Sequence, residues 1–373
     1  MSMSQQKRSI FFRAAAAFLS SFYGIGVDFR NFLFNTGVLT SKKYRLPIIS
    51  VGNITVGGTG KTPHSEFILS TLTPFMQVAL LSRGYKRKTK DFIIADKNST
   101  ADQIGDEPYQ IHKKFPEVVV AIDANRRRAI EKLQTTYPNL GAVVMDDAYQ
   151  HRFVEPGINI LLIDFNRPLH EDHLLPHGEL REPEHNKNRA NIIIITKCPE
   201  TATPIDYRLI TKHLKPRPYQ TLYFSSIKYE ELQPAFGGAP VTKEMLRAGR
   251  YGVVLLTGIQ NDAHVKRHVN DFADNVKAIS FPDHHDFTME DIQLLEKTYN
   301  NLGNEKKIII TTEKDAARLE HSNMITDELK SCIYVLPIKV KILFDKEEDF
   351  KKQILDYVRK NTTNNKLSKD PIK

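Results

Sequence analysis

Tryptophan is absent from the 373 residues, and cysteine occurs only twice, at Cys198 and Cys332. Two cysteines cannot build the disulfide framework of a small secreted domain, so a reducing compartment is the default. No apolar run reaches the roughly 20 residues that a membrane-spanning helix needs. The nearest approach, SIFFRAAAAFLSSFYGIGVDFRNFLFNTGVL near the start, is interrupted by Arg13. Internal repeats at solenoid periods are missing as well. Acidic residues are scarce at one end: residues 1 to 45 carry Lys7, Arg8, Arg13, Arg30, Lys42, Lys43 and Arg45 against Asp28 alone, a surplus of six within a chain of net charge +9. Such a surplus suits an acidic partner, whether lipid, nucleic acid or phosphorylated substrate. What remains is ordinary: 40% hydrophobic and 26% charged residues, in a chain long enough for two domains with sizeable cores.

Residues 47 to 64, PIISVGNITVGGTGKTPH, are the stretch around which the rest is organised. Ile48, Ile49 and Val51 form a buried strand, the glycines break it into a loop, and Lys61-Thr62 open a helix expected over 62 to 72. Glycines let backbone N–H groups approach an anion, and a helix N-terminus adds partial positive charge. The loop Thr55, Val56, Gly57, Gly58, Thr59, Gly60, Lys61, Thr62 therefore reads as a triphosphate cradle, with Thr55 standing where the general G-x-x-x-x-G-K-[ST] pattern has glycine. Further on, GAVVMDDAYQ is an apolar strand delivering Asp146 and Asp147, the arrangement that holds Mg²⁺ beside a phosphate loop. Lys61 would meet the β- and γ-phosphates of ATP, and Thr62 with Asp146 the metal.

Strand-like VALLS (78 to 82), VVVAI (118 to 122), INILLID (158 to 164) and NIIIITK (191 to 197) alternate with helices such as 125 to 136. This order implies a doubly wound parallel sheet of the P-loop NTPase type. A proline-rich stretch around 200 to 245 marks a connection to a second, smaller α/β lobe. The division expected is an N-terminal segment 1–45, a kinase domain 46–215, a second lobe 216–360 and a disordered tail 361–373. The basic loop that starts at Arg83 either binds a substrate phosphate or is simply solvated. The histidine-rich loop 168 to 189 fits no zinc ligand spacing.

The N-terminal segment has two readings. In one it is an interfacial helix, with Phe11, Phe12, Phe18, Phe22 and Tyr23 in acyl chains while Arg13, Arg30 and the cations at 42 to 45 meet anionic headgroups. In the other it packs on its own domain. Neither Thr196-Lys197-Cys198-Pro199 nor Thr312-Glu313-Lys314-Asp315 supplies the [N/T]-K-x-D that guanine selection requires, which favours ATP. Nucleic acid is disfavoured, since the basic loop offers no aromatic stacking platform beyond Tyr85. Three classes stay open on the residues alone: a membrane-associated lipid kinase, a soluble phosphate-loop kinase or GTPase, and a nucleotide-dependent regulatory protein.

An ordered series of motifs narrows them: GNITVGGTGKTP (52 to 63), SRGY (82 to 85), GDEP (105 to 108), DDAYQ (146 to 150), LLPHGELREP (174 to 183), FPDHH (281 to 285) and TTEKDA (311 to 316). Together they resemble the tetraacyldisaccharide 4'-kinase family, across nearly the whole chain to about residue 345. The resemblance implies transfer of the γ-phosphate of ATP to the 4'-hydroxyl of a tetraacylated glucosamine disaccharide 1-phosphate in lipid A biosynthesis. It implies two α/β lobes with the site between them, and a peripheral or monotopic location on the cytoplasmic face of the inner membrane. It matches Asp106 to the general base and His284 to its partner, and it matches Asp146, Asp147 and Glu182 to metal and catalytic acids. Arg83 and Arg181 fall with the substrate. The chain departs from the family's usual form at Ala148, where glycine is commoner, and at Glu179, where proline is.

Overall fold

The computed structural model describes residues 3–85, 87, 89–249, 251–259, 261–283, 285–320 and 324–367, and side chains for those between 15 and 361. His284 lies outside the described residues.

In chain order the elements that place the site are helix α1 (Met3–Asn35), strand β1 (Ile48–Gly52), α2 (Lys61–Leu72), β2 (Val78–Ser82), α3 (Asp106–Lys114), β3 (Val119–Ile122), α4 (Arg126–Thr136), β4 (Ala142–Met145), β5 (Ile158–Asp164), β6 (Ile192–Thr196) and β7 (Thr221–Tyr229). The second half adds β8 (Gly252–Thr257), β9 (Asn275–Ser280), α5 (Met289–Asn300), β10 (Lys307–Thr311), α6 (Glu313–Leu319), β11 (Ile333–Val335), β12 (Ile338–Ile342) and α7 (Glu347–Leu367).

A nine-stranded sheet runs β12-β7-β6-β5-β1-β4-β2-β3 and ends on a short strand, Ile93–Ile94. From β7 to β3 it is parallel; both edge strands are antiparallel. Strands β1, β2, β4, β5 and β6 are buried at almost every residue, which is why they read as continuous apolar runs rather than alternating ones. Ile49 and Val51 face Ile68, Leu69 and Leu72 of α2, while Ile48 and Met145 face Ala129, Ile130 and Leu133 of α4. The first strand lies between β5 and β4, so the chain winds off in opposite directions on either side of it. Ligands of open α/β sheets bind at such a reversal, outside the carboxyl ends of the strands.

A five-stranded sheet, Gln233–Pro234-β11-β10-β8-β9, forms the second lobe, with its own core around Val253, Leu255, Ile310 and, on the other face, Val254, Ile309 and Leu295. The observed boundary differs from the expected 216–360. Strands β7 and β12 extend the first sheet, and α7 returns to the first lobe, where Phe350, Ile354 and Val358 are fully buried with Ile68 and Leu69. Three such side chains contribute on the order of 1.5–3 kcal/mol each by burial, enough to fix the helix there. It also continues to Leu367, past the expected start of a disordered tail at 361.

Helix α1 shows two stripes. Ser20, Gly24, Asn31 and Phe34 are buried against the first lobe, whereas Phe18, Phe22, Ile25, Phe29 and Phe32 are each more than half exposed. Both stripes repeat at helical spacing. Among the described residues, no helix is long and apolar enough to cross a membrane.

Candidate active site

The phosphate loop begins where β1 runs under Tyr149: a Cβ on Gly52 would stand 2.8 Å from both the Cβ and the N of Tyr149, so only glycine allows that approach. It ends at Gly60, whose φ of 84° is left-handed and free of strain only without a side chain. Between them, the carbonyls are held from outside. Arg167 Nη1 donates to Val56 O at 3.0 Å, Lys197 Nζ donates to Gly58 O, Thr196 Oγ1 donates to Thr59 O at 2.9 Å, and His64 bonds Gly60 O through Nδ1 at 2.7 Å. Gln150 fixes Asn53 O at 2.7 Å. Val56 and Thr59 spend their N–H groups on Glu179 O and Gly57 O, so the N–H groups of the other residues at the loop's end and the start of α2 are the ones left for an anion nest.

The LLPHGELREP segment props the other side. Thr55 bridges to Leu180, Val56 N–H donates to Glu179 O at 2.7 Å, and Arg181 N–H donates to Ile54 O at 2.7 Å. Glu179, where the motif usually has proline, pairs with Arg167 and so joins the same brace. Helix α1 touches this segment too: Ser20 Oγ donates to Leu174 O at 2.6 Å and Tyr23 OH to Arg181 O at 2.9 Å.

Lys61 and Asp147 face each other across the loop at 3.8 Å, and Arg181 reaches Asp147 at 3.4 Å. Asp147 itself has φ 45°, a left-handed conformation that aspartate tolerates. Asp146 is buried and accepts a 2.8 Å bond from Ser65 of α2. Burial, reinforced by Asp147, pushes its carboxyl up to about 6. Lys61 opposes that rise, and Glu107, at the start of α3, adds to it.

The expected residues separate into groups. Lys61, Thr62, Asp146 and Asp147 converge on the carboxyl ends of β1 and β4, with Arg83 beyond β2 and Arg181 on the bracing segment. Asp106 opens α3, and its Oδ2 is held by Arg318 of α6 in the second lobe at 2.9 and 2.7 Å. Its motif neighbours explain the packing: a Cβ on Gly105 would meet Gly84 Cα and Tyr85 O at 3.2 Å, so SRGY and GDEP are one close-packed corner. Glu182 is paired within its own segment: its two oxygens receive Arg189 at 2.7 and 3.1 Å, with Asn31 at 3.4 Å, so a guanidinium already balances its charge. Arg30, expected at lipid headgroups, instead donates to Gln150 O at 3.0 Å and lies over Phe34.

Several residues went unnoticed in the sequence. Thr196-Lys197 appeared there only as a failed guanine motif, yet it braces the loop from β6. Arg126, at the start of α4, is buried without a carboxylate of its own; it donates to the carbonyls of Asp123 and Ala124, and its Nε has no partner among the described residues. Burial pulls it down to about 10, and the neighbouring Arg83 adds repulsion. Asp147, Asp146 and Asp123 offset part of that repulsion, so Arg126 and Arg83 form a cationic corner beside the acids.

This fold and loop define a phosphate-loop nucleotide-binding protein. A family model described as tetraacyldisaccharide-1-P 4'-kinase matches residues 12–359. Relatives named tetraacyldisaccharide 4'-kinase include one from Phocaeicola vulgatus, 45% identical over 94% of this chain and 96% of its own length. Another, from Bacteroides thetaiotaomicron, is 46% identical over 94% of each. Among solved structures, LpxK from Aquifex aeolicus in complex with ATP superposes with a TM-score of 0.71 at 27% identity, covering 93% of this chain and 99% of that one. The chain belongs to the tetraacyldisaccharide 4'-kinase family.

Proposed function

We propose that this chain transfers the γ-phosphate of ATP to the 4'-hydroxyl of a tetraacyl glucosamine disaccharide 1-phosphate, working at the cytoplasmic face of the inner membrane. The observation that carries the reading is the loop whose carbonyls are tied back by Arg167, Lys197, Thr196 and His64, with Lys61 aimed across its mouth at Asp147. The acceptor oxygen forms a bond to the γ-phosphorus as the bond to the β-phosphate oxygen breaks; ADP departs and the hydroxyl proton passes to a base. Little covalent help is needed, so positioning and neutralisation of charge dominate.

Asp106 is assigned as that base, with His284 as its partner, and Arg318 as the group that orients the carboxylate from the other lobe. Lys61 neutralises the β- and γ-phosphates. Mg²⁺ fits the residues present: Asp146 is a buried carboxylate with a raised pKa, and Thr62 stands one residue beyond Lys61 at the helix start. Among the described residues no cluster of three or more His, Cys, Asp or Glu could hold a metal by itself. Mg²⁺ commonly takes few protein ligands and completes its shell with phosphate oxygens and water. It would supply charge neutralisation at the phosphates. Glu182 is assigned to holding Arg189 and the bracing segment rather than to the metal. Arg83, Arg126 and Arg181 are assigned to anionic groups of the acceptor.

Membrane association rests on the exposed stripe Phe18, Phe22, Ile25, Phe29 and Phe32, which presents large apolar side chains outward while the opposite face is docked. Incubating the protein with radiolabelled ATP, Mg²⁺ and the tetraacyl disaccharide 1-phosphate in mixed micelles should label the lipid. Labelling of a soluble sugar in preference to this lipid would overturn the assignment. Replacing Phe22, Ile25 and Phe29 by serine should abolish cosedimentation with anionic vesicles, and undiminished binding would remove the membrane part.

A further inference from the structure

His64 stands on the fourth residue of α2, buried, and it is not one of the residues that would face the nucleotide. Its Nδ1 lies 2.7 Å from Gly60 O and its Nε2 2.9 Å from Ser225 Oγ. A carbonyl can only accept, so Nδ1 carries a proton, and burial, which lowers the ring to about 4, keeps it neutral with Nε2 as the lone-pair acceptor. Ser225 must therefore donate its hydroxyl proton to the ring. One neutral imidazole thus ties the left-handed glycine before Lys61 to a strand on the far side of α2.

That strand is where the lobes are joined. The chain passes from the first lobe to the second along β7 and returns along β12, and these are its two crossings. Within β7, Thr221–Phe224 pair with β6 of the first sheet, whereas Ser225–Tyr229 pair with β12. Ser225 is the first residue on the second pairing, opposite Ile342, and its carbonyl also accepts from Cys198 N at 2.9 Å. It sits at the point where the ribbon leaves the sheet. Any rotation of the second lobe twists the ribbon about this position.

We infer that His64 is a positioning residue that transmits the relative setting of the two lobes to the phosphate loop: movement of the ribbon at Ser225 is carried through the imidazole to Gly60, and from Gly60 to the placement of Lys61 and Thr62. The link makes ATP binding and acceptor binding interdependent, because an acceptor engaged by both lobes biases the ribbon and the loop responds. Thermodynamic coupling is reciprocal, so ATP also favours the lobe setting that accepts the lipid. This inference rests on the proposed reading in which the acceptor contacts Asp106 on one lobe and His284 on the other.

The test is the affinity of a fluorescent, non-hydrolysable ATP analogue, measured with Mg²⁺ in empty micelles and in micelles holding saturating tetraacyl disaccharide 1-phosphate. In the unsubstituted protein the acceptor should change the analogue's Kd by about fivefold or more, the usual range of coupling between sites. Ser225→Ala should bring the ratio below about twofold while leaving the Kd in empty micelles within about twofold. His64→Ala should give the same low ratio from the other end of the link. The double variant should be no worse than either single, as expected for residues acting in series. Thermal melting of each variant establishes that it is folded. An acceptor effect retained in folded Ser225→Ala, or losses that multiply in the double variant, would overturn the link. Absence of any acceptor effect in the unsubstituted protein would overturn both the link and the two-lobe reading, whereas coupling that survives the substitutions removes the link alone.

Discussion

The nucleotide half of the site and the seam between the lobes are built from different materials. Around the phosphate loop, contacts are to backbone carbonyls from buried or half-buried side chains on a strand end, the loops beside it and helix α2, all within one lobe. Across the seam, α3 meets α6 almost wholly through charge: Asp106 with Arg318 at 2.7 Å, Glu107 with Lys314 at 3.0 Å, Lys114 with Glu313 at 2.8 Å and Lys113 with Glu320 at 2.9 Å. Carbonyl tethers in a packed core have one geometry, whereas partly exposed ion pairs contribute little each and tolerate rearrangement. The contrast separates a part that must be preorganised from a part that must open. A triphosphate is charged wherever it sits and gains from a rigid cradle; in the proposed reading the lipid acceptor enters between the lobes, and Asp106 and His284 form its base only when the lobes meet.

The comparison can be broken from the rigid side first. Lys61→Ala should lower kcat/KM about 10²–10³-fold, the loss typical of removing one preorganised electrostatic contact. Steady-state kinetics on the lipid acceptor would show it, and an equal loss from Lys113→Ala, at a seam pair with no part in the chemistry, would erase the distinction.

Asp146→Asn tests how much the rigid half sacrifices for function. Its carboxyl is pushed up to about 6 by burial and Asp147. A carboxyl raised in the folded state opposes folding once pH exceeds its ordinary value, and the penalty grows until pH passes the folded value. The asparagine protein should therefore be inactive yet melt a few degrees higher at pH 7.5, with a gain of at most about 3 kcal/mol that disappears near pH 4. Equal melting temperatures at pH 7.5 would show that the site stores no such penalty.

Smaller effects belong to the seam. Lys314→Ala should lower stability by about 1–3 kcal/mol, because its largely buried ammonium bridges Glu107 and Asp283 and its loss leaves both carboxylates short of a partner. Its mark should be a fall in kcat with KM for ATP unchanged. A rise in KM for ATP with kcat intact would mean that the seam belongs to the nucleotide half after all.

Much of this was legible beforehand because it is local. Strands β2 and β5 coincide with VALLS and INILLID, since a strand buried on both faces leaves an unbroken apolar run. The loop from Thr55 to Thr62 was readable from glycine, lysine and threonine in fixed order, and Asp146-Asp147 from the strand that ends on them. Asp106 was identifiable only through resemblance, because GDEP by itself is a helix start. Arg126 left no signal: nothing in NRRRAI says that the first arginine is buried and the third pairs with Asp123. Its motif places Glu182 with the metal, and only the fold reveals that Arg189, seven residues on, pairs with it.

The sequence by itself determined the order of strands and helices, the phosphate loop and the acids beside it, because each is written within a dozen residues as periodicity or spacing. Tertiary structure alone decided that α7 rejoins the first lobe, that Thr196 and Lys197 serve a loop almost 140 positions earlier, and that His64 touches the ribbon between the lobes. Those pairings depend on which surfaces the sheet brings together, and no local pattern records a partner supplied by a distant strand.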